Sequence, residues 1–261
     1  MNPERFHSPS DHFKRSCRDF FLLTWWQILN ARATALWGLL LFSVFPLGLL
    51  MFLFFLAHDM PERTRQYILI GNLVYAFAMN GMLAVGQEVG WQKENAGFDF
   101  YATLPISKHT LLLSFLTRAV LATFIPGILI LLLARLLFHI SLPFSPLLLP
   151  LLVLTAYSMV GAGALIGLYA PDTRAAVYAT QFIALLVAYF SPLMVSKEHL
   201  PPLLQWTSMI LPTTYAAEAW RLLSHVDIGK DPSRLMLDLG VLGGFVLISF
   251  ALIEYKFDWR K

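Results

Sequence analysis

Between Glu88 and His109 the chain reads EVGWQKENAGFDFYATLPISKH, a run in which charges, aromatic rings, a glycine and a proline follow one another within a few turns. These side chains suit the chemistry of recognition rather than of bond making. Lys93 and Glu94 form an adjacent basic–acidic pair, Gly97 permits a turn, Phe98, Tyr101 and Leu104 recur at helical spacing, and Pro105 ends the run. Apolar anchors framed by opposite charges make a docking surface, because the rings supply buried area and the charges set register. The segment is too short for a domain and too charged to lie in hydrocarbon. It implies that the energy this protein uses comes from a partner. The same aromatic composition also suits a loop resting on lipid headgroups.

Residues for bond-making chemistry are missing. No H-E-x-x-H or G-x-S-x-G occurs, and Cys17 is the only cysteine, so neither a cysteine metal site nor an intrachain disulfide is available. The seven histidines (7, 12, 58, 109, 139, 199 and 225) fall in loops or at the ends of apolar runs, without the close pairing of zinc ligands. Gly229-Lys230-Asp231 lacks the earlier glycine of a phosphate-binding loop, so ATP cannot be held in that way. The expectation is a chain without a catalytic or metal site, and so not an enzyme.

The elements that carry the recognition segment are apolar. The chain is 57% hydrophobic and 13% charged, well below the roughly 25% charge of a soluble domain. Its mean hydropathy is +0.64. Ala33–Ala57, Tyr67–Gln87, Pro146–Ala170 and Ala175–Ser196 hold no charged residue, and each reaches the roughly 20 residues that cross a bilayer. Thr110–Phe138 carries Arg118 and Arg135 near its two ends, where each can snorkel, and Leu235–Ile253 carries Asp238 at its start. The pattern predicts an all-α integral membrane protein with six spans in one domain over residues 1–261.

Basic residues orient it. Arg5, Lys14, Arg15, Arg18 and Arg32 precede the first span, Lys93 and Lys108 follow the second, Arg174 the fourth, and Lys256, Arg260 and Lys261 the sixth. The positive-inside bias places both termini in the cytoplasm, in a plasma or inner membrane. The pI near 9.0 is that of a cytoplasmic membrane face and needs no nucleic acid. Within residues 1–32, Phe13, Cys17, Phe20, Phe21, Thr24 and Ile28 share a helical face, predicting an amphipathic helix lying on the cytoplasmic surface, with Trp25 and Trp26 at headgroup level. Residues 197–234 form a long external loop with two stretches too apolar to be free and too short to span, Leu200–Leu211 and Thr213–Leu223. Two short re-entrant helices fit them.

Polar groups inside the spans are few. Asn72, Tyr75, Met79 and Met82 share one side of the second span, and Tyr178, Gln181, Leu185 and Tyr189 one side of the fifth. Such mixed surfaces suit an amphiphilic substrate, and core packing explains the same stripes equally well. Pro46 and Pro126 predict kinks whose freed carbonyls neighbouring helices re-satisfy, and Gly161, Gly163, Gly167, Gly243 and Gly244 predict close helix approach. The four uncharged spans offer no mid-membrane carboxylate for an ion relay, which counts against an ion-coupled secondary transporter, the alternative from a different class.

The segment from Lys93 to Ser107 resembles the loop after the second span in ABC-2 type transporter permeases, with its basic–acidic pair, glycine, amphipathic turn and Pro-Ile-Ser. Pro201 and the run Pro212-Thr213-Thr214-Tyr215-Ala216-Ala217-Glu218-Ala219-Trp220-Arg221 resemble the final external loop of that family. The resemblance implies a half-transporter: a permease homodimer or heterodimer with two copies of an ABC ATPase subunit, which binds ATP and magnesium, while this chain carries no cofactor. It further implies export of a drug, antibiotic or lipid-like amphiphile, or alternatively of a lipid-linked polysaccharide. Lys93, Glu94, Gly97, Phe98, Tyr101, Leu104 and Pro105 would couple to the ATPase. Asn72, Tyr75, Met79, Met82, Tyr178, Gln181 and Tyr189 would line the pathway. Pro201, Pro212, Tyr215, Glu218 and Arg221 would form an external gate.

The topology is open to direct test. With Cys17 replaced, a cysteine at position 230 should react with an impermeant maleimide in intact cells, and one at position 93 only after lysis. Labelling at 93 from outside would invert the whole arrangement.

Overall fold

In hydrocarbon a backbone amide has no water to bond, so long uncharged runs must close their own hydrogen bonds as helices. The computed structural model describes residues 9–56, 59–140, 142–143, 145–194, 201–226 and 233–257, with their side chains except at 9–13, 31–36, 38–42 and 190. Residues 1–8 of the leader, 197–200 and 227–232 of the long loop, and the tail carrying Arg260 and Lys261 lie outside the described residues. In chain order the helices are α1 (Pro9–Leu56), α2 (Glu62–Ala78), a π-helical turn (Met79–Ala84), α3 (Val85–Glu94), α4 (Gly97–Ala102), α5 (Lys108–Phe138), α6 (Leu148–Tyr169), α7 (Thr173–Phe190), α8 (Pro202–Ser208), α9 (Pro212–Leu223) and α10 (Ser233–Lys256). Among the described residues there is no strand.

Among the described residues, four stretches are long and apolar enough to cross a membrane: Glu62–Glu94, Lys108–Phe138, Leu148–Tyr169 and Ser233–Lys256. Of the other two apolar runs of the sequence, Ala33–Ala57 falls mostly on α1, of 48 residues, and Ala175–Ser196 mostly on α7, of 18, which ends at Phe190; residues 57, 195 and 196 lie outside the described residues. Two boundaries differ from the sequence reading. The leader is not a separate surface helix but continues into the first apolar run as α1. No proline interrupts it between Pro9 and Pro46, and Ala31-Arg32-Ala33-Thr34-Ala35-Leu36 contains no helix breaker. The second span likewise runs on to Glu94, with no proline before the turn at Asn95-Ala96-Gly97. Ala96 there takes a left-handed conformation (φ 52°), which turns the chain back into α4.

The rod Glu62–Glu94 is the centre of the bundle, with most of its apolar window buried inside the protein. α1 and α5 pack on one side, α6 backed by α10 on another, and α7 against α3 and the π turn, while α9 covers the Pro61 end. Asn72, fully buried, donates from Nδ2 to the Pro46 carbonyl at 3.0 Å and so joins the rod to α1 at its proline. Where the rod meets α6, glycine is required. A Cβ on Gly163 would strike the carbonyl oxygens of Gly81 and Met82, and one on Gly167 that of Gly86. The π turn pushes this backbone toward α6, and Asn80 bonds the Ala76 carbonyl at 3.0 Å beside it. Gly161 meets Ser249 of α10 instead. A Cβ on Gly243 or Gly244 would meet nothing within 4 Å, so among the described residues the close approach expected of them is not made.

Two short helices, α8 and α9, occupy the apolar stretches of the long loop, each opened by a proline. They are tied down by polar atoms. Thr214 donates to the Ser208 carbonyl at 2.6 Å, and Trp220 reaches Thr155 of α6 at 3.4 Å. Arg221 is 1% exposed. Its guanidinium donates to the carbonyls of Pro192 (3.1 Å) and Leu193 (2.5 Å) just past α7, and lies 3.5 Å over the Tyr67 ring of α2. One side chain thus joins α9, the end of α7 and the rod.

Two outcomes test this packing. Gly163→Leu should cost about 1–3 kcal/mol through overpacking, lowering the thermal midpoint in detergent by several degrees, whereas Gly243→Leu should leave it unchanged. Arg221→Met should cost about 1–3 kcal/mol for each carbonyl it strips of its donor, and Arg221→Lys should recover only part of that.

Candidate functional site

At the Glu94 end of the rod, four elements converge on α4. The Ser107 hydroxyl caps α5 by accepting from the Thr110 amide at 3.1 Å, and Asp172 caps α7 by accepting from Ala175 at 2.7 Å. α4 itself is a single turn, held by rings. Phe98 packs edge-on to Phe257 at 4.8 Å and faces Phe115 at 6.4 Å. Trp26 of α1 stacks on Phe100 at 5.6 Å and meets Tyr101 edge-on at 6.0 Å. Tyr101 is buried, and burial raises its phenol above the ordinary range, keeping it neutral.

The predicted coupling residues therefore face two ways. Phe98, Tyr101 and Leu104 point inward and pack on the protein's own core. Gly97 sits against the amide end of the Gln92 side chain, which a Cβ there would displace. Pro105 is exposed. Lys93 and Glu94 reach sideways to the turn between α6 and α7. Lys93 Nζ donates to the carbonyls of Leu168 (3.2 Å) and Ala170 (2.6 Å) at the end of α6. Glu94 Oε2 accepts from the Thr173 amide (2.8 Å) at the start of α7. A cation thus sits at one helix C-terminus and an anion at the next N-terminus, the arrangement both helix dipoles favour. The outward surface is made by residues that sequence reasoning passed over: Trp91 (54% exposed), Phe100 (53%), Asn95, Asp99 and Thr103. The spacing of Phe98, Tyr101 and Leu104 gave a face but not its direction.

Ion pairs brace the same end. Arg118, rather than snorkelling alone, places Nη2 2.6 Å from both carboxylate oxygens of Glu88 and lies 5.1 Å from the Phe115 ring centroid. Lys108 donates to the Glu254 carbonyl, and His109 Nδ1 lies 3.7 Å from the Glu254 carboxylate, which fixes α5 to the end of α10.

The two pathway stripes are placed differently. Asn72, Tyr75 and Met82 are buried in the core and Met79 is half-buried, while Phe45 of α1 lies 6.0 Å from the Tyr75 ring. On α7, Ala176 and Thr180 press against Gly90 and Gly86 of α3. Its opposite face is bare: Tyr178 is 70% exposed and Tyr189 71%, with Gln181 and Leu185 exposed between them and Phe182 beside them. Of the gate residues, Pro201 caps α8 and is exposed, whereas Pro212 is buried as the first residue of α9. Tyr215 donates to the Met209 carbonyl at 2.8 Å, Glu218 lies 3.8 Å from Arg234 at the start of α10, and Arg221 takes the buried position described above.

Comparison with known proteins agrees with this architecture. No curated protein matches the chain. A family model described as ABC-2 type transporter matches residues 14–223, from the leader part of α1 through the end of α9, and so includes α4, the α6–α7 turn and the bare face of α7. The chain belongs to the ABC-2 type transporter family.

Proposed function

We propose that this protein exports an amphiphilic molecule from the cytoplasm or the inner leaflet, as one of two permease subunits driven by two ABC ATPase subunits docked on α4. Membership of the family makes the chain the membrane component of an ABC transporter, normally paired with an ABC ATPase. The observation that carries the finer reading is the double engagement of the α3–α4 corner. Its outer surface, Trp91, Asp99 and Phe100, is free for a partner, while Lys93 and Glu94 bond the α6–α7 turn.

A push on α4 is then transmitted along two routes. The rings carry it to α1, α5 and the chain end at Phe257. The Lys93–Glu94 bonds carry it to the start of α7. In a permease dimer the bare α7 stripe, Tyr178, Gln181, Leu185 and Tyr189, faces a midline cavity and offers rings and an amide to an amphiphile. Six spans with both termini in the cytoplasm complete this reading, and α8 and α9 dip into the outer leaflet, with Pro201, Pro212, Tyr215, Glu218 and Arg221 shaping the exit.

Docking and transmission separate by mutation. Phe100→Asp buries a carboxylate in the contact and should reduce the copurified ATPase at least tenfold. Glu94→Gln and Lys93→Met should retain the ATPase but uncouple its hydrolysis from export, measured in proteoliposomes. Gln181→Leu should leave assembly intact and change the response to substrate. A Phe100→Asp protein that assembles and exports like the parent would sink the docking reading. Gradient-driven transport by the chain alone would favour the secondary-transporter class.

A further inference from the structure

The geometry points to a binding site for a phospholipid headgroup bearing both a phosphate and a primary amine, at the Pro61 end of the bundle. A cavity of about 350 Å³ opens there between the end of α1, the start of α2 and the end of α5, lined by Phe54, Glu62, Arg65, Leu137, Phe138 and His139. Three of these six side chains can carry charge, and none of the three makes a hydrogen bond or ion pair with another described residue. Arg65 is half-buried, and its Nε is fully shielded yet has no acceptor. That nitrogen is closed to any ligand, but the Arg65 side chain lines the cavity, and the rest of its guanidinium can take an acceptor from outside the chain.

The chemistry of that ligand follows from the lining. Glu62 stands one helical turn before Arg65 and does not pair with it, so the cavity presents a cation and an anion side by side. A plain anion would satisfy Arg65 but be repelled by Glu62. A headgroup with a phosphate and an ammonium a few bonds apart satisfies both. The remaining wall is apolar: Phe54 and Phe138 stack at 4.1 Å, a flat surface for the glycerol region. Leu137, itself in the cavity wall, is 51% exposed and offers an apolar surface on which acyl chains can lie. Phosphatidylethanolamine is a lipid of this kind. The site stands apart from the α7 face and requires only that the bundle span a membrane, not the transport reading.

Retained lipid can be counted. The full chain, reconstituted in nanodiscs of equal phosphatidylethanolamine and phosphatidylglycerol and released into mild detergent, should keep phosphatidylethanolamine preferentially in native mass spectra. Arg65→Gln should lose roughly tenfold of that retention, the scale of one charge-assisted contact. Glu62→Gln should lose the preference between the two lipids while still holding phosphate. Arg135→Gln, an exposed cation outside the cavity, should behave as the parent. Glycerophosphoethanolamine should displace the lipid at high concentration, and inorganic phosphate should not. Equal retention by Arg65→Gln, equal loss by Arg135→Gln, or displacement by phosphate alone would each overturn the proposal. If Arg65→Gln does not yield folded protein, Glu62→Gln decides by itself, and an unchanged lipid preference rejects the site.

Discussion

Where Gly163 of α6 faces Gly81 and Met82 in the π turn, two backbones touch with no side chain between them. In lipid the hydrophobic effect does not favour one helix contact over another, so such packing and the hydrogen bonds that go with it must hold the bundle together. The rod Glu62–Glu94 is fixed to α6 here, and again where Gly167 meets Gly86. The other helices arrange around that pair. α1 and α5 close one flank, α10 backs α6 through Gly161 and Ser249, and α7 settles on Gly86 and Gly90.

The ends of the rod are polar, and both reach α7. Glu94 holds the first turn of α7 through the Thr173 amide. At the opposite end the ring of Tyr67 on the rod supports Arg221, which holds the carbonyls of Pro192 and Leu193 just past the last turn of α7. α7 is thus secured at its two ends by charged side chains and along one face by glycine contacts. Its other face carries rings and an amide that stand exposed among the described residues.

Among the described residues, charged side chains order helix ends. Lys93 and Glu94 complement the ends of α6 and α7, Arg118 and Glu88 tie α5 to α3, and Glu218 with Arg234 ties α9 to α10. The Lys93, Glu94 and Arg234 contacts stand open to water, whereas the Arg118–Glu88 pair is partly shielded from it and so resists being pulled apart. That is the property a subunit needs if force applied at one surface is to arrive at another.

Much of this was legible in the chain alone. Uncharged runs longer than a bilayer is thick dictate helices, prolines at 202 and 212 open the two short ones, and the segments around Gly97 and after Pro212 together resemble the family whose model matches residues 14–223. Periodicity assigned Asn72 and Tyr75 to one face of a helix and Tyr178 and Tyr189 to one face of another. It could not tell that the first face is buried against α1 while the second is bare, because periodicity is blind to what lies opposite. The same limit applies to Phe98 and Tyr101, whose shared face turns inward and leaves Phe100 outside. Lys93 and Glu94 read as surface charges because their partners are backbone atoms some 75 residues away, and backbone leaves no trace in side-chain pattern. The membrane, the helices and the family were fixed by composition and local order. Which side of each helix faces the protein was decided only when the glycines of the rod and α6 brought their backbones together.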